Sequence, residues 1–343
     1  MKINDIEDIS STEKEHIKKM IPWAESALKH VLSLKENEKA LVITDESKQA
    51  IGKAFEFGAK KLGARTYSYI LEESQRPLTE IPKELILLFS GCNVVVNAFS
   101  ANSEETPFRV KLVELQRSCG AKVGHAPGIT EDMMLSGPMT VNYQEIAEKA
   151  RHLIESFKSA SKVHITTKEG TDLILNVKGR DFETDAWIKS GTMGNLPVGE
   201  IWCAPLENDA QGDIFVNGSI GDLGGVNKPL KIIVRNGKIA TIESEDSNLV
   251  EKVNELTSFD NMASVIGELG IGLNPKARLT GNLLEDEKAG GTAHIAFGYN
   301  QNMPGGKNNS KTHRDFLFYN PTFEVEYEDG SKRIVIKDGK VVV

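Results

Sequence analysis

Residues 39–70 read KALVITDESKQAIGKAFEFGAKKLGARTYSYI, and their pattern decides the first half of the fold. Residues 40–44 form a short apolar run that ends in polar residues, as a buried strand does. From Gln49 the apolar positions fall at helical spacing until Gly63, a residue suited to the left-handed close of a helix. Residues 64–70 turn to aromatic and β-branched side chains, which predicts a second strand. A strand, an amphipathic helix and a strand in succession imply a right-handed crossover between parallel neighbours. The pattern extends both ways. Upstream, Ile17, Met20, Ile21, Ala24, Leu28 and Val31 make the apolar stripe of a helix over residues 13–34. Downstream, CNVVVNAFS (92–100) and AKVGHAP (121–127) read as strands around a helix, ETPFRVKLVELQRSCG (105–120), closed by Gly120. A doubly wound, mostly parallel α/β domain over residues 1–160 accounts for this half.

No GxGxxG or GxxxxGK[ST] follows the first strand, so a dinucleotide or P-loop site has no support there. Asp45 and Ser47 stand in that place, and Asp45 reads as a turn and cap residue. His125 follows the fourth strand, at the strand end where α/β domains place site residues, though a turn histidine is the simpler reading. A further helix over 144–162 hands the chain over, and the grammar changes. KVHITTKEGTDLILNVKGR (162–180) alternates around a Glu-Gly turn, KIIVRNGKIATIES (231–244) around Asn-Gly, and residues 323–343 hold two Asp-Gly turns. With one clear helix over 247–256, residues 161–343 are expected to form a β-rich α+β domain.

At 343 residues the chain is long enough for two domains. Its 39% hydrophobic and 26% charged content describes a folded globular protein. A net charge of -8 argues against a nucleic-acid partner, whose phosphates call for a basic surface. The three cysteines, Cys92, Cys119 and Cys203, are too few and scattered for a disulfide framework or a zinc finger. The charged first residues lack the apolar core of a signal peptide, and no apolar run reaches the roughly 18 residues of a membrane span. A reduced, cytoplasmic protein without a membrane partner is the expectation.

The unusual placements of acids and imidazoles all fall in the second half. Glu200 follows Pro197 and Gly199 and precedes Ile201 and Trp202; Glu268 lies in GELGIG, a stretch with no other charge. His294 sits among glycine and alanine, and His313 and Asp315 lead the apolar run FLF with the two-residue spacing that shares one face of a strand. Each has an ordinary reading alone: an exposed strand end, a hydrogen-bonded core histidine, a solvated strand start. Glu268 resists that reading, because carboxylates are seldom buried unless paired or bound to metal. Together the five offer the nitrogen and oxygen ligands of two divalent metals, one carboxylate bridging. Imidazole with carboxylate favours zinc, cobalt, manganese or iron over calcium, and the absence of cysteine fits a catalytic rather than structural site. Trp187 and Trp202 read as core, and nothing marks Cys203 as a nucleophile.

The segments NLPVGEIWCAP (195–205), GELGIGLNP (267–275), GTAHIAFG (291–298) and THRDF (312–316) resemble, in order and setting, the motifs of the M29-type metallo-aminopeptidases, the aminopeptidase T and S group. The resemblance covers about residues 160–320, and PGITEDMMLSG (127–137) looks like a segment of the family's short members. It implies that Glu200, Glu268, His294, His313 and Asp315, spaced by 68, 26, 19 and 2 residues, are the metal ligands. It further implies hydrolysis of N-terminal peptide bonds of a small peptide by a water that two metals activate, and a homodimer. The family is expected to use a tyrosine shortly after the first histidine, and Tyr299 is the candidate here. Residues 295–312, rich in glycine and asparagine, are expected to form a flexible loop over the site. The layout is also similar to the dihydroxypyridine ring-cleaving dioxygenases, in which His294, His313 and Asp315 would hold a single iron. A non-catalytic scaffold that keeps the fold is the third reading.

Overall fold

The computed structural model of the chain describes residues 11–343; the charged N-terminal stretch read for a signal peptide begins outside the described residues. Two compact units emerge, residues 1–145 with 185–198, and residues 146–184 with 199–343. This division differs from a single boundary at 160. The helix Tyr143–Ser156 runs from the first unit into the second, and residues 185–198 return to the first.

The first unit is built on a five-stranded sheet in the order Arg65–Leu71, Lys39–Asp45, Val94–Ala98, Lys122–His125, Met193–Asn195, with every pair parallel. The first four strands are those expected; the fifth is three residues of Met-Gly-Asn, too short to show a period. The helices Ser11–His30 and Gln49–Lys61 meet where a Cβ on Gly58 would lie 2.8 Å from the backbone nitrogen of Glu25. Only glycine lets the two backbones approach that closely. Leu41, Ile43, Val95, Val123, Phe99, Phe108 and Leu112 form the core on one side of the sheet.

At the C-terminal end of the first strand, Asp45 does more than cap a turn. It accepts hydrogen bonds from the backbone of Lys48 at 3.1 Å and of Ser100 at 2.6 Å, and pairs with Arg76 at 2.6 Å. Arg76 also grips Glu105 through Nε and Nη2, and both carboxylates are fully buried. Strand order reverses beside this strand, the place where open α/β sheets leave a ligand crevice. Here a guanidinium and two carboxylates occupy it.

The second unit consists of two antiparallel sheets. One has eight strands, in the order Lys238–Ser244, Leu230–Arg235, Ala210–Val216, Asp172–Asn176, Ala160–Thr166, Thr322–Tyr327, Lys332–Lys337 and Lys340–Val341, and contains the hairpins read from the sequence. The helix expected to reach residue 162 stops at Ser156, because Ser159 turns the chain through φ 58° into the strand Ala160–Thr166. The other sheet has seven strands, in the order Gly224–Gly225, Ser219–Ile220, His313–Tyr319, Thr292–Gly298, Ile266–Gly272, Glu200–Cys203 and Glu183–Thr184. Every residue of Ile266–Gly272 and of Thr292–Gly298 is buried, as in a sheet covered on both faces. Among the described residues, no helix is long and apolar enough to cross a membrane.

Candidate metal centre

Four adjacent strands of the seven-stranded sheet carry all five candidate ligands. Their register places Glu200 opposite Gly272, Gly270 opposite His294, Ala296 opposite both Glu268 and Asp315, and Gly298 opposite His313. Directly opposed residues share a face of a sheet, as do residues two apart along a strand. Glu268, Gly270 and Gly272 therefore share one face; His294, Ala296 and Gly298 continue it; Glu200, His313 and Asp315 complete it. All five side chains leave the sheet on the same side.

Glycine makes the room. A Cβ on Gly270 would lie 1.9 Å from His294 Nε2, so the imidazole lies across the Glu268 strand in space that only glycine leaves open. The Gly-x-Gly spacing of GELGIG thus has a steric cause. The carboxylate of Glu268 stands between two donor groups. Its Oε1 is 3.5 Å from His294 Nε2 and its Oε2 is 3.1 Å from His313 Nε2. His313 Nε2 lies 3.3 Å from Asp315 Oδ1, and single ligand atoms of Glu268, His313 and Asp315 fall within 4.8 Å of one another. On the other side, Glu200 Oε2 is 3.9 Å from His294 Nε2. Glu200, Glu268, His294 and Asp315 are all buried, so Glu200 does not sit at an exposed strand end, and His313 is half-buried.

The surroundings of the two imidazoles differ. His313 Nδ1 is 2.8 Å from the carbonyl of Tyr299, which makes Nδ1 the donor and frees Nε2 for the site. His294 Nδ1 is buried and has no hydrogen-bond partner among the described residues. Burial works against charging either ring, yet the hydrogen bond that His294 donates to Glu268 and the charges of Glu268, Asp315 and Glu200 raise His294 to about 9. His313 lies well above its ordinary value, with Asp315 its largest support. Burial opposes ionisation of Glu268, but its bonds to both histidines hold the carboxyl far below the usual range. The cluster is thus a concentration of negative charge that holds onto positive charge, and buried nitrogen and oxygen donors facing one point fit a divalent cation.

Two contributors escaped the sequence reading. Lys288 is fully buried, with Nζ 2.5 Å from Glu200 Oε1 and 3.0 Å from Glu287 Oε2. Burial raises the carboxyl of Glu287 despite that ammonium, and Asp315 adds to the effect. In EDEKAGG (285–291) the pair looks like a solvated charge run, and only the tertiary fold turns it inward. Trp202, read as core, is half-buried and two residues from Glu200 on the ligand face. The glycine- and asparagine-rich segment is not an open loop. Residues 295–298 belong to a strand, and the rest is tied down by two buried amides. Asn300 Nδ2 donates to the Gly267 carbonyl at 3.0 Å and Asn308 Nδ2 to that of Val265 at 3.1 Å. Tyr299 is exposed and follows the His294 strand directly.

Other sequence candidates lie outside the cluster. His125 belongs to the first unit, beside the reciprocal amide pair of Asn97 and Gln116, with Nδ1 3.2 Å from Asn97 Nδ2. Burial pushes it down to about 3, and it is a neutral core histidine. Burial likewise drives the Cys203 thiol well up, away from nucleophilic use.

Buried carboxylates and imidazoles converging on one face of a β-sheet are a donor set suited to a divalent metal. The thermophilic metalloprotease (M29) family matches residues 137–341, well over half of the chain. The chain belongs to that family, and so to the metallopeptidases. No curated protein matches its sequence. Among solved structures, 2,5-dihydroxypyridine dioxygenase from Pseudomonas putida KT2440 is similar at a TM-score of 0.73 and 17% identity, over 95% of this chain and 98% of that one. Wild-type AmpT from Thermus thermophilus is similar at a TM-score of 0.70 and 17% identity, over 95% of this chain and 99% of that one. At such identities both likenesses speak to the fold alone.

Proposed function

We propose that this chain is an aminopeptidase that hydrolyses N-terminal peptide bonds, with Glu200, Glu268, His294, His313 and Asp315 holding two divalent metals, zinc, cobalt or manganese. The observation that carries the reading is the split of one carboxylate. The two oxygens of Glu268 face separate imidazoles, at 3.5 and 3.1 Å, each backed by a further acid, Glu200 on one side and Asp315 on the other. A single cation needs only one such group; a bridging carboxylate serves two. Bound there, the metals would acidify a water and polarise the scissile carbonyl. The chain's own residues orient the donors: Tyr299 fixes the His313 ring through its carbonyl, and Lys288 holds Glu200. The Tyr299 side chain is our candidate for stabilising the oxyanion of the tetrahedral intermediate. With this reading go a small peptide as partner, no nucleic acid, a homodimer and a cytoplasmic setting, the last two on the family resemblance and on scattered cysteines.

The second reading, a ring-cleaving dioxygenase with one iron on His294, His313 and Asp315, is favoured by the fold shared with such an enzyme. It leaves Glu200 and Glu268 as buried acids beside the iron without a ligand role. The deciding experiment measures metal per chain in the purified protein, together with metal-dependent release of amino acids from a panel of small peptides. Two metals and peptide hydrolysis are expected. One iron per chain, with oxygen uptake on a hydroxylated aromatic ring, would overturn the proposal.

A further inference from the structure

The two halves of the candidate centre are not equivalent, and the difference lies in groups outside the five ligands. On one side, His313 is held by the Tyr299 carbonyl at 2.8 Å, and Glu268, His313 and Asp315 bring ligand atoms within 4.8 Å of one another. On the other side, His294 Nδ1 has no hydrogen-bond partner among the described residues, and Glu200 already has a cation on Oε1, the ammonium of Lys288 at 2.5 Å. That ammonium cannot drift away. Its backbone is fixed by the Asn274 amide, which donates to the Lys288 carbonyl at 2.8 Å, and by its own amide, which donates to Glu285 at 3.0 Å. Glu287 holds the same Nζ from the other side at 3.0 Å.

We propose that Lys288 is a tethered cation that competes for Glu200 and so makes the Glu200–His294 position the weaker of two metal positions, filled after Glu268–His313–Asp315. The inference rests on the dinuclear reading and adds an order to it. A metal entering the second position must share Glu200 with a fixed positive charge at hydrogen-bond distance, and must be met by an imidazole whose Nδ1 has no hydrogen-bond partner among the described residues. Either feature weakens the position; outer-sphere partners commonly change metal affinity by about 10- to 100-fold. Lys288 acts through Glu200, so it is a positioning residue. Its effect belongs to the ratio of the two affinities rather than to either alone, because a distant charge change shifts both together.

The test titrates the metal-free full-length chain with cobalt(II), followed by calorimetry and by visible absorption, with metal per chain counted at saturation. The wild type should bind in two steps separated by about 10- to 100-fold. Lys288→Met should narrow the gap by about tenfold, or convert a one-metal protein into a two-metal one. Glu287→Gln leaves the ammonium in place and removes a carboxylate charge that competes with Glu200 for it, so the gap should widen. This second variant keeps the test decisive if Lys288→Met fails to fold. Two metals with the same gap in wild type and in every folded variant would overturn the role of Lys288 while leaving the dinuclear reading intact. One metal in the wild type and in Lys288→Met alike would remove both.

Discussion

The residue that decides most is Glu268, and its neighbour Gly270 gives the cleaner experiment. Glu268→Ala removes the group facing both imidazoles; metal content and hydrolysis should fall to background, with far-ultraviolet dichroism unchanged. Gly270→Ala replaces no candidate ligand. Its Cβ would lie 1.9 Å from His294 Nε2, so the ring must move and metal content should drop. Full metal content in that variant would show the imidazole lies elsewhere. Tyr299→Phe should lower kcat by about 10²- to 10³-fold if the hydroxyl steadies the oxyanion, with metal content unchanged, because only its carbonyl braces His313. At this scale the sequence was informative where a polar residue stood out against small or apolar neighbours, as four of the five candidate ligands do; His313 stands between Thr312 and Arg314. It was silent on Lys288, whose charged flanks are those of any surface turn.

Elements show a different limit. The hairpins of the eight-stranded sheet alternate and end in Asn-Gly or Asp-Gly, so period two and turn chemistry announce them. The central strands of the seven-stranded sheet do not alternate. Residues 266–272 and 292–298 are buried throughout, and a run covered on both faces has no polar side to reveal its period. The segment after them was misread for the opposite reason: Gly and Asn usually mean solvent, yet Asn300 and Asn308 are fully buried and bond to backbone carbonyls. Asn300→Ala should therefore cost about 1–3 kcal/mol in urea unfolding, since it leaves the buried carbonyl of Gly267 without its donor. It should also weaken metal binding, because Gly267 adjoins Glu268. A stability change below a few tenths of a kcal/mol would show that the amide is dispensable.

For the whole molecule, the division at 145 and the return of 185–198 were beyond a linear reading, since a three-residue strand carries no pattern of its own. The first unit makes its own prediction. Burial pushes the carboxyls of Asp45 and Glu105 up, but bonds from Ser100 and Ser47 to the one, from Leu78 to the other and from Arg76 to both hold them below the usual range. Groups so lowered add stability above their unfolded values, about 3.9 and 4.3, and lose it as pH falls through the folded ones. The contribution of these two carboxylates to stability should be level from about pH 8 to 5 and decline below about 4. Arg76→Met strands both acids in the interior and should cost about 3–5 kcal/mol at pH 7, with the deficit shrinking toward acid as they protonate. A deficit that grows toward acid would contradict this account. The ligand face of the second unit carries one more consequence, in the lengths that its strands can tolerate. Because side chains alternate between the two faces along a strand, inserting or deleting a single residue before Glu268 or His294 would turn that side chain to the far face. The strands, buried on both faces, would still be covered. Length variants of these strands should thus yield folded chains that bind no metal, whereas changes in steps of two would slide the ligand along its strand without turning it away.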